Sequence, residues 1–308
     1  MPITNQIFMV RPANFGFNPE TAKDNAFQEV PKTTAESTIA QRAIVEFDNF
    51  VNKLREIGIE VLVVQDSEQP EKTDAVFPNN WISTHPRGTL ITYPMYSRNR
   101  RLERRSDIVD TLREKWHVER HLALESWEER PDMMLEGTGA LVLDHEHEIA
   151  YACLSKRCTK QALYEWCEMA GYLAVPFSGI DPTGLPIYHT NVIMAVGRKQ
   201  VVLATECVIP EDRSRIIATI GQTGKSLVDL SWSQIQQFAG NMLQLQGKFG
   251  PVWVMSSQAY TALTEDQVEQ LQSDGSEILH ADLRTIETYG GGSARCMLAE
   301  IFLPGKGE

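Results

Sequence analysis

One spacing constrains this chain more than any other. Five short apolar segments, at 79–83, 138–143, 190–196, 240–245 and 294–299, each begin at a turn of small or amide-bearing residues. With Asn80, Gly139, Asn191, Asn241 and Arg295 as equivalent points, the steps are 59, 52, 50 and 54 residues. A self-similarity with a period of this size is the mark of a repeat or propeller architecture. Helix and strand patterns alternate throughout, so each unit carries both. Five units fill the 308 residues, and the expected fold is a closed five-bladed α/β arrangement, a single domain over 1–308. In such a ring the five turns line one central cavity. Asn79, Asn80, Glu136, His189, Asn191, Asn241, Arg295 and Cys296 would then meet although they are far apart in sequence.

The helical stretches have their own signatures. Ala40, Ala43, Ile44, Phe47, Val51, Leu54 and Ile57 recur at spacings of three and four, which is one helical stripe. It predicts a helix over 34–57, with Thr33 and Glu36 as a capping box. Further helices are expected near 101–116, 159–170, 210–220, 232–239 and 265–273, the last capped by Thr264 and Gln267.

Composition narrows the partners. Lys and Arg number 29 and Asp and Glu 41, a net charge of −12. Such a chain repels phosphate backbones and anionic membrane faces, so a small molecule or another protein is expected rather than nucleic acid or lipid. A homo-oligomer is left open. The first residues show no basic segment followed by an apolar one, and no apolar run approaches the ~20 residues that span a bilayer. The expected location is the cytoplasm. Five cysteines, an odd number with no CxxC pair, argue against a disulfide framework.

Several residues have a chemistry worth testing. Cys296 follows Gly290-Gly291-Gly292-Ser293-Ala294-Arg295. Glycines let a ligand approach closely, and a neighbouring cation lowers a thiol pKa. Read locally, Cys296 is either a nucleophilic thiolate or a buried residue opening a strand. His189 stands just before the apolar run from Val192, where it could carry protons for a nucleophile, or serve structurally. Glu136, between Met134-Leu135 and Gly137-Thr138-Gly139, is costly to bury unpaired. Arg98, Arg100, Arg101, Arg104 and Arg105 put five guanidiniums, the natural forks for a carboxylate, into eight positions of an acidic chain. The 144–148 run Asp-His-Glu-His-Glu looks metal-like, but it lies between two strand patterns and reads as a polar hairpin turn. No metal is expected.

Together these motifs resemble the pentein superfamily of guanidine-modifying enzymes. Phe77-Pro78-Asn79-Asn80-Trp81, the run from Asn99 to Arg105, Leu135-Glu136-Gly137-Thr138-Gly139, Ile187-Tyr188-His189-Thr190-Asn191-Val192, Phe238-Ala239-Gly240-Asn241-Met242 and Gly290 through Met297 look most like the arginine-deiminase-related citrulline hydrolases. The resemblance runs from Val10-Arg11-Pro12 to Cys296. It implies a pentein propeller and a cofactor-free hydrolase. Cys296 would be the nucleophile, His189 the general acid/base and Glu136 the supporting carboxylate. Asn79, Asn80, Asn191, Arg100, Arg101 and Arg295 would bind substrate.

Deiminases carry Asp where this chain has Asn80 and Asn191. A guanidinium offers only donors and suits carboxylates, whereas a ureido group also presents a carbonyl acceptor, which an amide can meet. The expected reaction is therefore hydrolysis of citrulline to ornithine, CO2 and ammonia through an S-carbamoyl enzyme. The alternatives are arginine deiminase or dihydrolase activity, amidino transfer, and a non-catalytic binding factor of the same fold.

Overall fold

The computed structural model describes residues 2–32 and 35–307. Five three-stranded sheets follow one another along the chain. The second pairs Ile82–His85, Thr89–Thr92 and Arg120–Ala123; the third Val142–Asp144, Ile149–Cys153 and Leu173–Phe177; the fourth Met194–Val196, Gln200–Leu203 and Ser226–Asp229; the fifth Leu243–Gln246, Pro251–Ser256 and Glu277–Ala281. The first is assembled from both ends of the chain: Gln6–Arg11 pairs in parallel with Glu60–Gln65 and antiparallel with Ala299–Glu300. In every sheet the inner strand meets the middle one antiparallel and the outer strand joins it in parallel. A parallel neighbour needs a crossover, and a helix supplies it each time: Glu36–Glu56, Ser106–Lys115, Lys160–Ala170, Pro210–Gln222 and, in the fifth unit, Ser257–Ala262 with Glu265–Gln272.

Successive units touch through their inner strands or the turns that lead into them, and the fifth touches the first, giving a propeller-like arrangement. The expected period is thus a physical repeat. The predicted helices appear close to their expected positions. Gly171 closes one in the left-handed conformation, and Thr264 and Gln267 form the capping box. The capping box assigned to Thr33 lies outside the described residues. The 101–116 stretch divides into a 3-10 turn, Asn99–Glu103, and the helix Ser106–Lys115.

One local reading is corrected. The residues taken as strand starts are helical turns, Pro78–Asn80, Gly137–Ala140, Thr190–Val192 and Ala294–Met297, and the inner strands begin just after them. The difference matters for chemistry. A turn directs its side chains around its axis, so neighbours need not share a face. The 144–148 run is the hairpin turn expected, and buried Lys225 places its ammonium 3.3 Å from Asp144 and 3.5 Å from Glu146. Among the described residues no helix is long and apolar enough to cross a membrane.

Candidate active site

Three of the inner turns, those at Asn80, His189 and Cys296, converge on one buried cavity. It is lined by Asp74, Phe77, Asn80, Arg100, His189 and Cys296, with Thr21, Asn25, Arg157, Tyr188 and the Gly290-Gly291-Gly292 run completing the wall. Close approach is built into the backbone. A Cβ on Gly139 would collide with Asn80 Nδ2 and with His189 Nδ1 at 2.8 Å, so only glycine lets these two side chains meet over that turn.

The sulfur of Cys296 accepts from two amides, Asn191 Nδ2 at 3.4 Å and Asn241 Nδ2 at 3.3 Å. The other four cysteines are free and buried. Burial pushes the Cys153, Cys167 and Cys207 thiols up to about 12 and raises Cys158 as well.

His189 and Glu136 form a pair, with His189 Nε2 2.8 Å from Glu136 Oε2. The second oxygen, Oε1, accepts the backbone N–H of Tyr96 at 2.8 Å, and Arg157 Nη1 stands 3.6 Å from Oε2. Burial alone would raise the Glu136 pKa, but Arg157 and the His189 hydrogen bond overcome it and hold the carboxyl at about 2. Burial lowers the His189 pKa despite Glu136, which favours the neutral imidazole. An ionised carboxylate only accepts, so Nε2 carries the proton and Nδ1 keeps its lone pair. That is the arrangement of a base whose imidazolium form has a counter-ion ready.

The arginine cluster resolves into one cavity residue. Arg100 is buried, with Nε and Nη2 each 2.8 Å from the Glu103 carboxylate and Nη1 2.8 Å from Asn80 Oδ1. Burial opposes its charge, but Glu103 more than compensates and raises its pKa. Arg101, expected to bind substrate, instead pairs with Glu128 at 3.0 Å and donates to the Met95 carbonyl at 3.0 Å, away from the cavity. Arg104 also pairs with Glu128, and Arg105 with Asp107 and Asp66.

Arg295 is a second correction. It does not lend its charge to the neighbouring thiol. Its Nη1 donates to the Leu298 carbonyl at 2.9 Å and its Nη2 pairs with Glu300 at 3.0 Å. Consecutive residues on a helical turn project about 100° apart, so Cys296 faces the cavity and Arg295 does not. Asn79 is fully buried with both side-chain polar atoms unpartnered, but it is not among the lining residues; its carbonyl accepts from Thr138.

Sequence reasoning missed Asp74 and Arg157. Asp74 Oδ2 accepts from Asn18 at 2.7 Å, while Oδ1 is buried and unpartnered. Burial raises its pKa against the pull of Arg100. Arg157 lies over the Tyr188 ring, 5.0 Å from its centroid, pairs with Asp24, and leaves Nε unpartnered. A lone acid before Ala75-Val76-Phe77 and one cation in Leu154-Ser155-Lys156-Arg157 carry no local sign of burial. The covering segment was likewise not foreseen. Asn25 Nδ2 donates to the Gly291 carbonyl at 3.2 Å and Gln28 Nε2 to that of Gly290 at 3.0 Å. Beneath it the cavity holds about 20 Å³ of free space, room for about one water.

A sequence model of the eukaryotic N,N dimethylarginine dimethylhydrolase family matches residues 11–303. No curated protein sequence matches the chain. Solved structures share its fold. The N-terminal domain of ArgZ, an arginine dihydrolase from the ornithine-ammonia cycle in cyanobacteria, in a substrate-bound form, superposes with a TM-score of 0.73 at 14% identity, covering 97% of this chain and 98% of that one. Unliganded AgrE gives 0.73 at 15% identity, covering 98% of this chain and 40% of AgrE, so the chain spans two fifths of that protein. A dimethylarginine dimethylaminohydrolase carrying a 4-chloro-2-hydroxymethylpyridine adduct gives 0.64 at 11% identity, covering 97% and 100%.

Proposed function

Since the chain belongs to the N,N dimethylarginine dimethylhydrolase family of the pentein superfamily, we propose that it is a cysteine-dependent hydrolase of a C–N bond in a small amino acid, and that its substrate is citrulline. The observation that carries the substrate is the state of Asn80. Its Oδ1 is occupied by Arg100 Nη1, and its Nδ2 is buried without a partner. Asn80 therefore presents a donor, with a guanidinium already beside it. An incoming guanidinium would meet donor against donor and charge against like charge. A ureido oxygen would meet an unpaired N–H.

The steps follow from the pairings. Cys296 gives its proton to His189 Nδ1 and the thiolate attacks the ureido carbon. Charge gathers on the former carbonyl oxygen, where the Asn80 amide donates. Glu136 stabilises the imidazolium, which then protonates the departing nitrogen. The C–N bond breaks, ornithine leaves and a carbamoyl thioester remains. His189 takes a proton from water, hydroxide adds to the thioester carbon, and the C–S bond breaks to return the thiolate. Carbamate decays to CO2 and ammonia. Arg157 Nε is the unpartnered N–H placed to hold the substrate α-carboxylate, and Asp74 Oδ1 the unpartnered oxygen for its ammonium.

A second reading is arginine dihydrolysis, in which arginine passes through a citrulline stage in the same pocket. The unpaired carboxylate oxygen of Asp74 favours it, because it can pair with a guanidinium. One assay separates the readings. Purified protein is given citrulline or arginine, and ornithine, citrulline and ammonia are measured. Ornithine from citrulline but not from arginine is expected, with no turnover by Cys296→Ala. Ornithine from both supports dihydrolysis. Citrulline accumulating from arginine indicates a deiminase. No product from either substrate overturns the enzymatic proposal.

A further inference from the structure

The sulfur of Cys296 is held by amides, and one of them is aimed by a backbone outlier. Asn241 Nδ2 reaches the sulfur at 3.3 Å and also donates to the Asn191 carbonyl at 2.9 Å. Only the NH2 end of the amide can serve that carbonyl, so the donor end is fixed toward the sulfur. The Asn241 Oδ1 is buried and unpartnered. The turn that delivers this side chain is closed by the Asn241 N–H on the Phe238 carbonyl at 2.9 Å. Phe238 has φ +60°, a left-handed conformation that a non-glycine residue adopts at a cost.

Strain of that kind persists where surrounding packing enforces it, and here the packing comes from the covering segment. The Phe238 ring lies 5.5 Å from the ring of Phe27, which also packs against Trp232 at 6.1 Å and Tyr188 at 6.4 Å. Phe27 stands two residues beyond Asn25, which lines the cavity and ties the segment to Gly291. One chain of contacts therefore runs from the cover to the sulfur: Phe27, Phe238, Asn241, Cys296.

We infer that Asn241 is a catalytic residue whose amide, aimed by the left-handed turn at Phe238 and braced by Phe27, donates to the Cys296 sulfur and stabilises its thiolate while the cover is shut. A donor facing a thiolate favours the ionised form, because hydrogen bonds to an anion are the strong ones. Closing the cover over a substrate thereby favours the ionised nucleophile. The inference rests on Cys296 being the nucleophile proposed above, but not on the identity of the substrate.

The test is the pH profile of Cys296 alkylation by iodoacetamide, read on its own peptide by mass spectrometry without substrate. In Asn241→Ala the midpoint rises by about one pH unit, as loss of one donor to an anion predicts. In Asn241→Asp, similar in size but an acceptor, it rises further. Phe238→Gly keeps the left-handed backbone without strain and removes the ring; its midpoint rises by less, and not at all when Asn241 is already Ala. Midpoints for Asn241→Ala and Asn241→Asp equal to wild type overturn the inference. Should those variants not fold, Phe238→Gly decides: a wild-type midpoint there overturns it. Failure of the proposed function shows differently, as no ornithine from wild-type protein.

Discussion

The two ends of the inner strands use similar side chains in different ways. At their starts, around Cys296, Asp74, Asn80, Arg157, Asn191 and Asn241 each keep a buried polar atom with no partner. At their far ends the polar groups satisfy one another. Ser83 Oγ lies 2.7 Å from both His85 Nε2 and Tyr93 OH, Trp166 donates to Tyr93 at 3.0 Å, His145 Nδ1 meets Tyr172 OH at 2.7 Å, and Arg295 pairs with Glu300. His85 Nδ1 and Gln200 Oε1 are exceptions. Buried groups are ordinarily paired because an unmade hydrogen bond costs about 1–3 kcal/mol. The contrast teaches where a ligand completes the structure and where the protein completes itself. Both ends hold histidine, arginine and glutamate, so residue type alone does not separate chemistry from architecture.

The largest expected effect lies at the first end. His189→Ala lowers kcat about a thousandfold, the range for loss of a general acid/base, while thermal stability stays near wild type. A loss below tenfold in steady-state turnover would erase the contrast between the ends.

At the far end the expectation reverses. Arg295→Met leaves Glu300 buried and unpaired, which costs about 4 kcal/mol, with turnover per folded molecule retained. Urea unfolding measures the loss, and Arg295→Met combined with Glu300→Leu recovers most of it. If the single variant is stable but inactive, Arg295 belongs to the reaction after all.

Acid exposes the same division. Burial lowers the His85 pKa from 6.5 to about 4. Between those values the unfolded chain binds a proton that the fold refuses. The stability from neutral His85 is complete above pH 6.5 and is lost as pH falls toward 4. It is worth about 3 kcal/mol. The melting temperature should fall over that window, and less steeply in His85→Gln. Equal slopes would mean that His85 does not carry this acid sensitivity.

The smallest effect sharpens the assignment within the arginine cluster. Arg101→Ala removes an ion pair that is about a third exposed, worth under about 1 kcal/mol. The KM for the substrate should stay within about twofold. A tenfold rise would return Arg101 to the substrate site.

Much of this was legible beforehand because it is local or periodic. The repeat alone places Asn80, His189, Asn191 and Cys296 around one space. Gly-rich sequence announced a close approach, and Glu136 between apolar and glycine residues announced a carboxylate that needed a partner. The Arg295 expectation failed because it treated adjacency in sequence as adjacency of charge, which a helical turn denies. Arg157 and Asp74 escaped because nothing in their own segments records that Asp24, Tyr188, Asn18 or Arg100 would come to meet them.

The sequence by itself determined the five-fold repeat, the order of strand and helix within each unit, and the kinds of reactive group available, since these follow from spacing and from the chemistry of each side chain. Tertiary structure alone decided which of two neighbours faces the cavity, Arg100 or Arg101, Cys296 or Arg295, and which buried atoms remain without partners. The reason is physical. A residue's direction depends on the pitch of the turn that carries it, and its charge state on partners that chain closure brings from distant positions.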